Sequence, residues 1–234
     1  MLREALRFLG PLRPLAKRST RFFFPRYSWF FDRINWEARL NATVKEFPSA
    51  LQFGLREDLY RYVSEMLLDG GKKAIDYVEF GVYEGASIQQ WCALNQNARS
   101  RFFGFDSFEG LPEDWHSGKR KGAFSTGGKV PTISDPRLSF ISGWFQHSLR
   151  IFMDSYSPLN QLVVHVDCDL YSSTLYCLTT LDPLISPGTL ILLDDFFDAL
   201  HVYRALTDYC SAYVRQYKIV ARTHELGQAA IEMA

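Results

Sequence analysis

The stretch of sequence that decides the fold is Tyr77-Val78-Glu79-Phe80-Gly81-Val82-Tyr83-Glu84-Gly85-Ala86-Ser87-Ile88. Residues 74–80 form a mainly apolar run whose length suits a buried central strand of about five to six residues. Gly81 and Gly85 then form a turn, and a helical pattern begins at Ile88. Glycine lets the backbone approach a ligand, and a helix N-terminus offers unpaired N–H groups. The stretch therefore predicts a ligand-binding turn in an α/β domain, with glycines kept only for packing as the alternative.

The spacing of this turn narrows the class of ligand. It is neither Gly-x-Gly-x-x-Gly nor a phosphate loop followed by Lys and Ser or Thr, so a pyrophosphate is not expected to be the main contact. Asp106 ends the next predicted strand, residues 101–106, about twenty residues beyond the turn. A carboxylate at that distance can accept both ribose hydroxyls of an adenosine-type ligand. An aspartate that only caps a turn is the alternative.

The remaining pattern alternates strands and helices. A helical face at residues 57–69 precedes the first strand. Further strands are predicted at residues 138–145, 162–169 and 189–193, and helices follow the last two of these. Residues 218–223 and 229–233 predict an antiparallel hairpin at the edge of the sheet. We therefore predict a doubly wound, mostly parallel, seven-stranded sheet, in which the long polar stretch 107–136 is a lid, a binding loop or disordered.

Acidic residues follow several of these strands. Ligands of open α/β sheets lie at the carboxyl ends of the strands, where Asp106, Asp167, Asp194 and Asp195 should converge, with Asp169 close by. Carboxylates gathered in one cleft repel each other unless protons or a cation intervene. Oxygen-only ligands favour Mg²⁺, Ca²⁺ or Mn²⁺. Ordinary acids capping strand ends are the alternative.

Two histidines are near these acids in the sequence. His165 lies inside a predicted strand and is expected to point into the packed interior. His147 is also interpreted as structural, and a base beside the cleft is its alternative.

The N-terminal region differs in charge from the rest of the chain. Residues 1–39 carry nine Lys or Arg and three acids, a net +6, so the remainder, with 17 basic and 23 acidic residues, is −6. Seven aromatic residues lie between positions 22 and 31. We interpret residues 1–50 as a helical, aromatic extension that covers the domain or a neighbouring subunit, which favours a homo-oligomer. Membrane-surface contact is the alternative, and nucleic-acid binding is not expected.

The cysteines and the hydropathy of the chain indicate the cellular compartment of the protein. Four cysteines are scattered without a Cys-x-x-Cys pair, which is typical of buried thiols in a reducing compartment. No run of eighteen apolar residues and no signal-peptide pattern is present. A cytoplasmic protein is therefore expected.

Residues 51–234 resemble class I S-adenosylmethionine-dependent methyltransferases, and within them the macrocin O-methyltransferase family, which acts on sugar hydroxyls of natural products. The resemblance rests on five pieces in order, namely Glu79-Phe80-Gly81-Val82-Tyr83-Glu84-Gly85, Asp106-Ser107-Phe108-Glu109-Gly110-Leu111-Pro112, Gly143-Trp144-Phe145, Asp167-Cys168-Asp169-Leu170-Tyr171-Ser172-Ser173-Thr174, and Ser186-Pro187-Gly188 leading to Asp194-Asp195. The chain departs from the family pattern at two places. The family's Asp-Thr-Leu after Gly-Trp-Phe is here His147-Ser148-Leu149, with Gln146 before it, and the family's Trp-Arg ending is absent.

The resemblance implies a site. S-adenosyl-L-methionine would be bound by residues of the glycine turn and of the strand ends: Glu79, Gly81, Tyr83, Glu84, Gly85, Ser87, Asp106, Ser107, Phe108, Gly143, Phe145 and Asp167. Mg²⁺, or another divalent cation that prefers oxygen ligands, would be held by Asp167, Asp194 and Asp195. Asp167 would also take the proton from the acceptor.

The implied activity is methylation of a hydroxyl of a small-molecule natural product, a sugar or another vicinal diol. An alcohol is a poor nucleophile, which a cation and a carboxylate base can activate. Two alternatives stay open at this point. One is a degenerate methyltransferase fold used as a binding or scaffold module, and the other is an NAD-dependent oxidoreductase, which the turn spacing and the acidic pairs disfavour.

Overall fold

The computed structural model describes residues 13–116 and 118–234, with side chains described from residue 28 onward. Its strands are β1 (Leu51–Phe53), β2 (Ile75–Phe80), β3 (Arg101–Asp106), β4 (Leu138–Ser142), β5 (Gln161–Val166), β6 (Leu190–Asp194), β7 (Tyr217–Thr223) and β8 (Gln228–Met233). Its helices are α1 (Arg13–Glu46), α2 (Arg56–Tyr62), α3 (Ala86–Leu94), α4 (Phe145–Ser155), α5 (Tyr171–Leu181) and α6 (Val202–Tyr213).

The strands form one eight-stranded sheet in the order β1-β7-β8-β6-β5-β2-β3-β4. All neighbouring pairs are parallel except those made by β8, which runs antiparallel to both β6 and β7. The predicted mostly parallel sheet with an antiparallel C-terminal hairpin is therefore confirmed. The predicted count of seven strands is wrong, and the hairpin is not at the edge, because β1 pairs with the outer side of β7. A three-residue strand is too short to show a period-two pattern.

The register brings the carboxyl ends of the central strands together. Phe80 of β2 pairs with Phe105 of β3 and with Val166 of β5, and Val166 pairs with Leu193 of β6. The residues that follow these pairs therefore emerge side by side at one edge of the sheet. Neighbouring strands lie about 4.8 Å apart, so four strand ends cover roughly 15 Å.

The core lies on both faces of β2, whose six residues are all buried. On one face Tyr77 packs with Trp91 of α3 and with Leu59 of α2 in one buried cluster. On the other face Phe80 and Val164 join Leu178 of α5 in a second cluster. Because both faces of β2 are buried, its sequence does not alternate between apolar and polar residues, and its two acids, Asp76 and Glu79, are buried as well.

Three local predictions differ from the structure. Helix α2 continues into a π-helical turn, Val63–Leu67, which departs from the 3.6-residue period of the predicted helical face. Met66 lies within this turn and is 67% exposed instead of facing the core. The strand predicted to reach residue 145 ends at Ser142, where Gly143 has a φ of 131°. Phe145 instead begins α4, a helix that the sequence analysis does not assign.

Helix α1 contacts the domain through its C-terminal half. Leu40 is buried in the main core cluster, and the Trp36 ring packs edge-on against Tyr203 of α6 with centroids 6.1 Å apart. Trp29 and Phe30, closer to the N-terminus, are exposed. The aromatic side chains up to Tyr27, and residues 1–12 of the predicted helical extension, lie outside the described side chains and residues. No helix in the described part of the chain has the length and apolar character needed to cross a membrane.

Candidate active site

A cavity of about 360 Å³ opens at the carboxyl ends of β2, β3 and β5. It is lined by Arg56, Gly81, Val82, Tyr83, Glu84, Ala86, Ser87, Asp106, Ser107, Gly110, Leu111, Pro112, Phe124, Trp144, Phe145, Gln146, Asp167, Cys168, Asp169 and Ser173. Volumes of roughly 300 to 1,000 Å³ are typical of small-molecule and cofactor sites. The cavity therefore lies where an open α/β sheet binds its ligand.

The glycine turn is required by close backbone contact. Gly81 has a φ of 92°, and a Cβ atom placed on it would lie 1.6 Å from the backbone oxygen of Asp167. No side chain can occupy that space, so the ends of β2 and β5 can meet only with glycine at this position. Gly85 has a φ of 84° and packs against Pro131 and Ile133, so its role is in packing against the loop.

Asp106 organises the same turn. One of its carboxylate oxygens accepts hydrogen bonds from the backbone N–H groups of Val82 and Tyr83, at 2.9 and 2.8 Å. The other accepts from the N–H of Phe108 at 2.7 Å. Asp106 lines the cavity and holds both loops in place, which combines the ligand-binding and turn-capping interpretations of the sequence analysis.

The acids form two groups that share Asp167. Asp167, Asp169 and Asp195 present carboxylate oxygens within 4.8 Å of one another, and His165, Asp167 and Asp194 form a second group by the same measure. Asp169 and Asp195 both adopt positive φ, 59° and 50°, a conformation that aspartate tolerates better than most residues. The predicted set of Asp167, Asp194 and Asp195 is thus divided between two groups.

The first group has the donor chemistry of a divalent cation site. Burial and then the charge of Asp194 raise the pKa of Asp167 well above its usual range. Burial, followed by the hydrogen bond to Asp169, raises the pKa of Asp195 to about 8. Both pKa values are raised because three neighbouring carboxylates repel each other when all are ionised and no cation lies between them. An all-oxygen set suits Mg²⁺, Ca²⁺ or Mn²⁺, so the residues present fit such an ion.

Asp194 is held by a buried hydrogen-bond network. Its Oδ1 accepts from Gln228 at 2.6 Å, and its Oδ2 accepts from Tyr60 at 3.2 Å and from His165 Nε2 at 2.5 Å. The other ring nitrogen of His165 lies 2.6 Å from the Tyr77 hydroxyl and 3.3 Å from Glu79 Oε2. Both oxygens of Asp194 therefore already have protein donors.

His165 supplies the positive charge of this network. Burial alone would lower the pKa of its imidazole, but hydrogen bonds to Asp194 and Glu79 outweigh burial and raise it to about 10. The protonated ring lies between two buried carboxylates, with no exposed surface. The expected buried position of His165 is confirmed, but its surroundings are polar rather than apolar packing.

Residues 107–136 form a wall of the cavity, through Leu111, Pro112 and Phe124. The Trp115 indole N–H donates to Asp198 at 2.8 Å, and Ser172 donates to Glu113 at 2.6 Å. In its described residues the stretch is therefore an ordered loop beside the cavity, joined to the segments that follow β6 and β5, and ligand binding by it stays a prediction.

Most of the predicted cofactor residues line the cavity, and four do not. Glu79 is buried beneath it, where it accepts hydrogen bonds from Tyr77 and Ser87, and Gly85, Phe108 and Gly143 shape the surrounding turns. His147 is exposed and is not among the described lining residues. No individual role was predicted for Arg56, Phe124 and Ser173. Arg56 belongs to no motif, Phe124 lies in the predicted loop 107–136, and Ser173 lies in the fourth piece of the family resemblance.

The fold and the cavity define a class, namely Rossmann-like α/β proteins with a cavity and several acids at the carboxyl edge of the sheet. A family model described as "Methyltransferase domain" matches residues 78–196, slightly more than half of the chain. The chain therefore belongs to the methyltransferase domain family. The resemblance drawn from the sequence is confirmed at this level.

Two curated relatives, both from Streptomyces, specify the family further. The chain is 31% identical over 160 residues to demethyldecarbamoylnovobiocin O-methyltransferase of Streptomyces niveus, covering 57% of this chain and 59% of the relative. It is 30% identical over 189 residues to an 8-demethyl-8-(2,3-dimethoxy-α-L-rhamnosyl)-tetracenomycin-C 4'-O-methyltransferase of Streptomyces olivaceus, covering 68% and 70%. Both relatives are O-methyltransferases by name, in agreement with the predicted class of enzyme.

Two solved structures share the fold. The O-methyltransferase NovP has a TM-score of 0.54 at 24% identity, covering 76% of this chain and 78% of NovP. CalS11, a calicheamicin methyltransferase, has a TM-score of 0.56 at 16% identity, covering 85% and 91%.

Proposed function

We propose that this protein is an S-adenosylmethionine-dependent O-methyltransferase that methylates a hydroxyl of a small-molecule natural product, a sugar or another vicinal diol. One observation supports this most directly. A single cavity joins the glycine turn, Asp106 and the carboxylates Asp167 and Asp169. The two Streptomyces relatives, whose names describe methylation of such compounds, support the class of acceptor.

The cofactor would lie along the edge of the sheet. Asp106 and Ser107 at the end of β3 would face the ribose, and Phe145 and Gln146 at the start of α4 would border the adenosine. Gly81, Tyr83, Glu84 and Ser87 would border the methionine part. Tyr83 and Phe124, whose rings meet edge-to-face at 5.9 Å, would exclude water from this part of the cavity.

The metal assignment belongs to the same proposal. Asp167 and Asp195 are proposed ligands, with Asp194 as the third ligand that the family resemblance implies and Asp169 as the alternative that the oxygen-only group favours. A bound divalent cation would supply Lewis acidity, and S-adenosylmethionine would supply a methyl group already activated on sulfur.

The chain's own residues would then orient the acceptor and move one proton. Asp167, whose side chain lines the cavity, would accept the hydroxyl proton at a carboxylate oxygen. The cavity walls would hold the oxygen in line with the transferred methyl group and keep water away.

The broader assignments are also proposals. Residues 51–234 are taken as the catalytic domain and residues 1–50 as an extension, although Leu40 in the extension packs into the core. A homo-oligomer and a reducing, cytoplasmic setting are supported by the exposed aromatic side chains of α1 and by four buried free cysteines.

A methyl-transfer assay tests the proposal. Methyl-labelled S-adenosylmethionine is incubated with the protein and a panel of sugars and catechols, each paired with a derivative that lacks the vicinal hydroxyl. We expect label on a diol, loss of transfer after chelation, and recovery with Mg²⁺ or Mn²⁺. Transfer that persists after chelation would remove the metal from the proposal. A protein that binds S-adenosylhomocysteine but methylates no acceptor would favour the scaffold alternative.

A further inference from the structure

Arg56 is the one Lys or Arg among the described residues that line the cavity. Four of the other lining residues are acids, namely Glu84, Asp106, Asp167 and Asp169. The guanidinium is half-buried, and its one ion pair among the described residues is a 3.4 Å contact with the adjacent Glu57. A contact of that length between partly exposed groups is weak, which leaves donors of Arg56 available to a ligand.

Helix α2 fixes where this cation lies. Tyr60 donates to Asp194 at the end of β6 and lies 3.2 Å from His165 of β5, so α2 is held over the β5 and β6 side of the sheet. Arg56 is one helical turn before Tyr60, and residues four apart share a helix face. Its side chain accordingly reaches the cavity near Asp167, on the side away from Asp106.

The order of the strands gives a direction to the ligand. Asp106 follows β3, Gly81 follows β2 and Asp167 follows β5, and these strands are consecutive in the sheet. Two strand spacings separate the first from the last, roughly 10 Å. A nucleoside whose ribose faces Asp106 would extend its 5' substituent across Gly81 toward Arg56.

We propose that Arg56 binds the α-carboxylate of the methionyl group of the cofactor. Arginine can hold a carboxylate through two parallel hydrogen bonds. The ammonium of the same zwitterionic tail would face Glu84, the lining acid that is proposed to border the methionine part. This inference rests on the proposed function and adds to it the residue that distinguishes an amino-acid-bearing nucleoside from one without.

The test compares two ligands on purified protein by calorimetric titration. S-adenosylhomocysteine carries the carboxylate, and 5'-methylthioadenosine has the same nucleoside and thioether without the amino acid. We expect Arg56→Gln to weaken binding of S-adenosylhomocysteine about 10- to 100-fold, the usual range for a lost charge-assisted pair, and to change binding of methylthioadenosine by less than about twofold. Binding of methylthioadenosine also reports that the variant is folded.

Arg61→Gln is the matched control, because Arg61 lies on the same helix, is exposed and pairs with Asp58. It should change neither affinity. Equal weakening of both ligands by Arg56→Gln, or of neither, would overturn the inference and leave the proposed function standing. If the unaltered protein binds neither ligand, the proposed function fails, and this inference fails with it.

Discussion

At the scale of single residues, Gly81 and Asp167 together define the site. The backbone oxygen of Asp167 occupies the space where a side chain on Gly81 would start, and the Asp167 N–H donates to Phe80 at 2.9 Å. The glycine therefore sets how closely β2 and β5 approach. The carboxylate of Asp167 in turn lines the cavity that this approach creates.

Replacing Gly81 with Ala should therefore destabilise the protein strongly. The new Cβ would lie 1.6 Å from the Asp167 oxygen, at a φ of 92° that alanine rarely adopts. We expect a loss of more than about 2 kcal/mol of unfolding free energy in urea titration, together with loss of S-adenosylhomocysteine binding. Gly54→Ala is the control, since nothing lies within 4 Å of its added Cβ. A Gly81→Ala protein as stable as the control would contradict the geometry.

Asp167→Asn separates catalysis from cofactor binding. The amide keeps the shape of the side chain but cannot accept the acceptor proton. We expect turnover to fall at least about 100-fold, while the dissociation constant for S-adenosylhomocysteine changes only a few-fold. Both are measured on the same preparation, with Asp154→Asn, an exposed residue of α4, as control. An active Asp167→Asn enzyme would remove Asp167 from the role of base.

At the scale of elements, two side-chain hydrogen bonds join the loop over the cavity to segments on the far side of the site. Its hydrogen bonds from Trp115 to Asp198 and from Ser172 to Glu113 reach the segments after β6 and β5. Leu111 and Phe124 in this loop are cavity walls. The order of the loop is therefore linked to the shape of the ligand site.

Trp115→Phe should loosen this loop without unfolding the sheet. It removes the indole N–H that donates to Asp198 and keeps an aromatic ring. We expect faster hydrogen exchange in residues 107–136, unchanged exchange in β2 and β5, and S-adenosylhomocysteine affinity lowered about 3- to 10-fold. Trp29→Phe, on the exposed part of α1, should change none of these. Unchanged loop exchange in the Trp115 variant would show that the contact does not order the loop.

At the scale of the whole molecule, an ion-pair node lies at the opposite edge of the sheet from the cavity. The buried Asp76 carboxylate accepts from Arg101 at 2.9 Å and 2.5 Å, from Tyr156 at 2.8 Å and from Asn160 at 2.9 Å. Burial opposes ionisation, but the hydrogen bonds, led by that from Arg101, lower the pKa of Asp76 to about 2. The node joins β2 and β3 to the loop before β5.

Because of these interactions, we predict that the free energy of unfolding decreases at acidic pH. The pKa of Asp76 falls from 3.8 to about 2 on folding, so its contribution is complete above pH 3.8 and is lost as the pH falls toward 2. The lost contribution is about 2 kcal/mol. Urea titrations at several pH values should show this decrease in the unaltered protein and a smaller one in Asp76→Asn. An equal decrease in both proteins would show that other groups cause the loss of stability at acidic pH.

Much of the fold could be predicted from the sequence because it depends on local patterns. The apolar strand before Gly81, the acid at Asp106 and the hairpin at the C-terminus each carry their signal within a few residues. The cavity could be predicted only in part. Arg56, Phe124 and Ser173 reach it from separate segments, and only the folded backbone brings them together.

The acids at the strand ends could also be predicted only in part from the sequence. The predicted ends of the strands correctly placed Asp167, Asp194 and Asp195 at one edge of the sheet. The sequence could not show that Gln228, Tyr60 and His165 already occupy both oxygens of Asp194, or that Asp169 completes the oxygen-only group. Hydrogen-bond partners so far apart in the chain leave no periodic signal.

The central claim is that the cavity at the ends of β2, β3 and β5 binds the nucleoside of S-adenosylmethionine. Calorimetric titration with S-adenosylhomocysteine, in the presence and absence of Mg²⁺ and with NAD⁺ as the control ligand, tests it most directly. We predict a micromolar dissociation constant for S-adenosylhomocysteine in the presence of Mg²⁺ and no binding of NAD⁺. No binding of S-adenosylhomocysteine with or without Mg²⁺ would contradict the claim and leave only the fold in common with the methyltransferases.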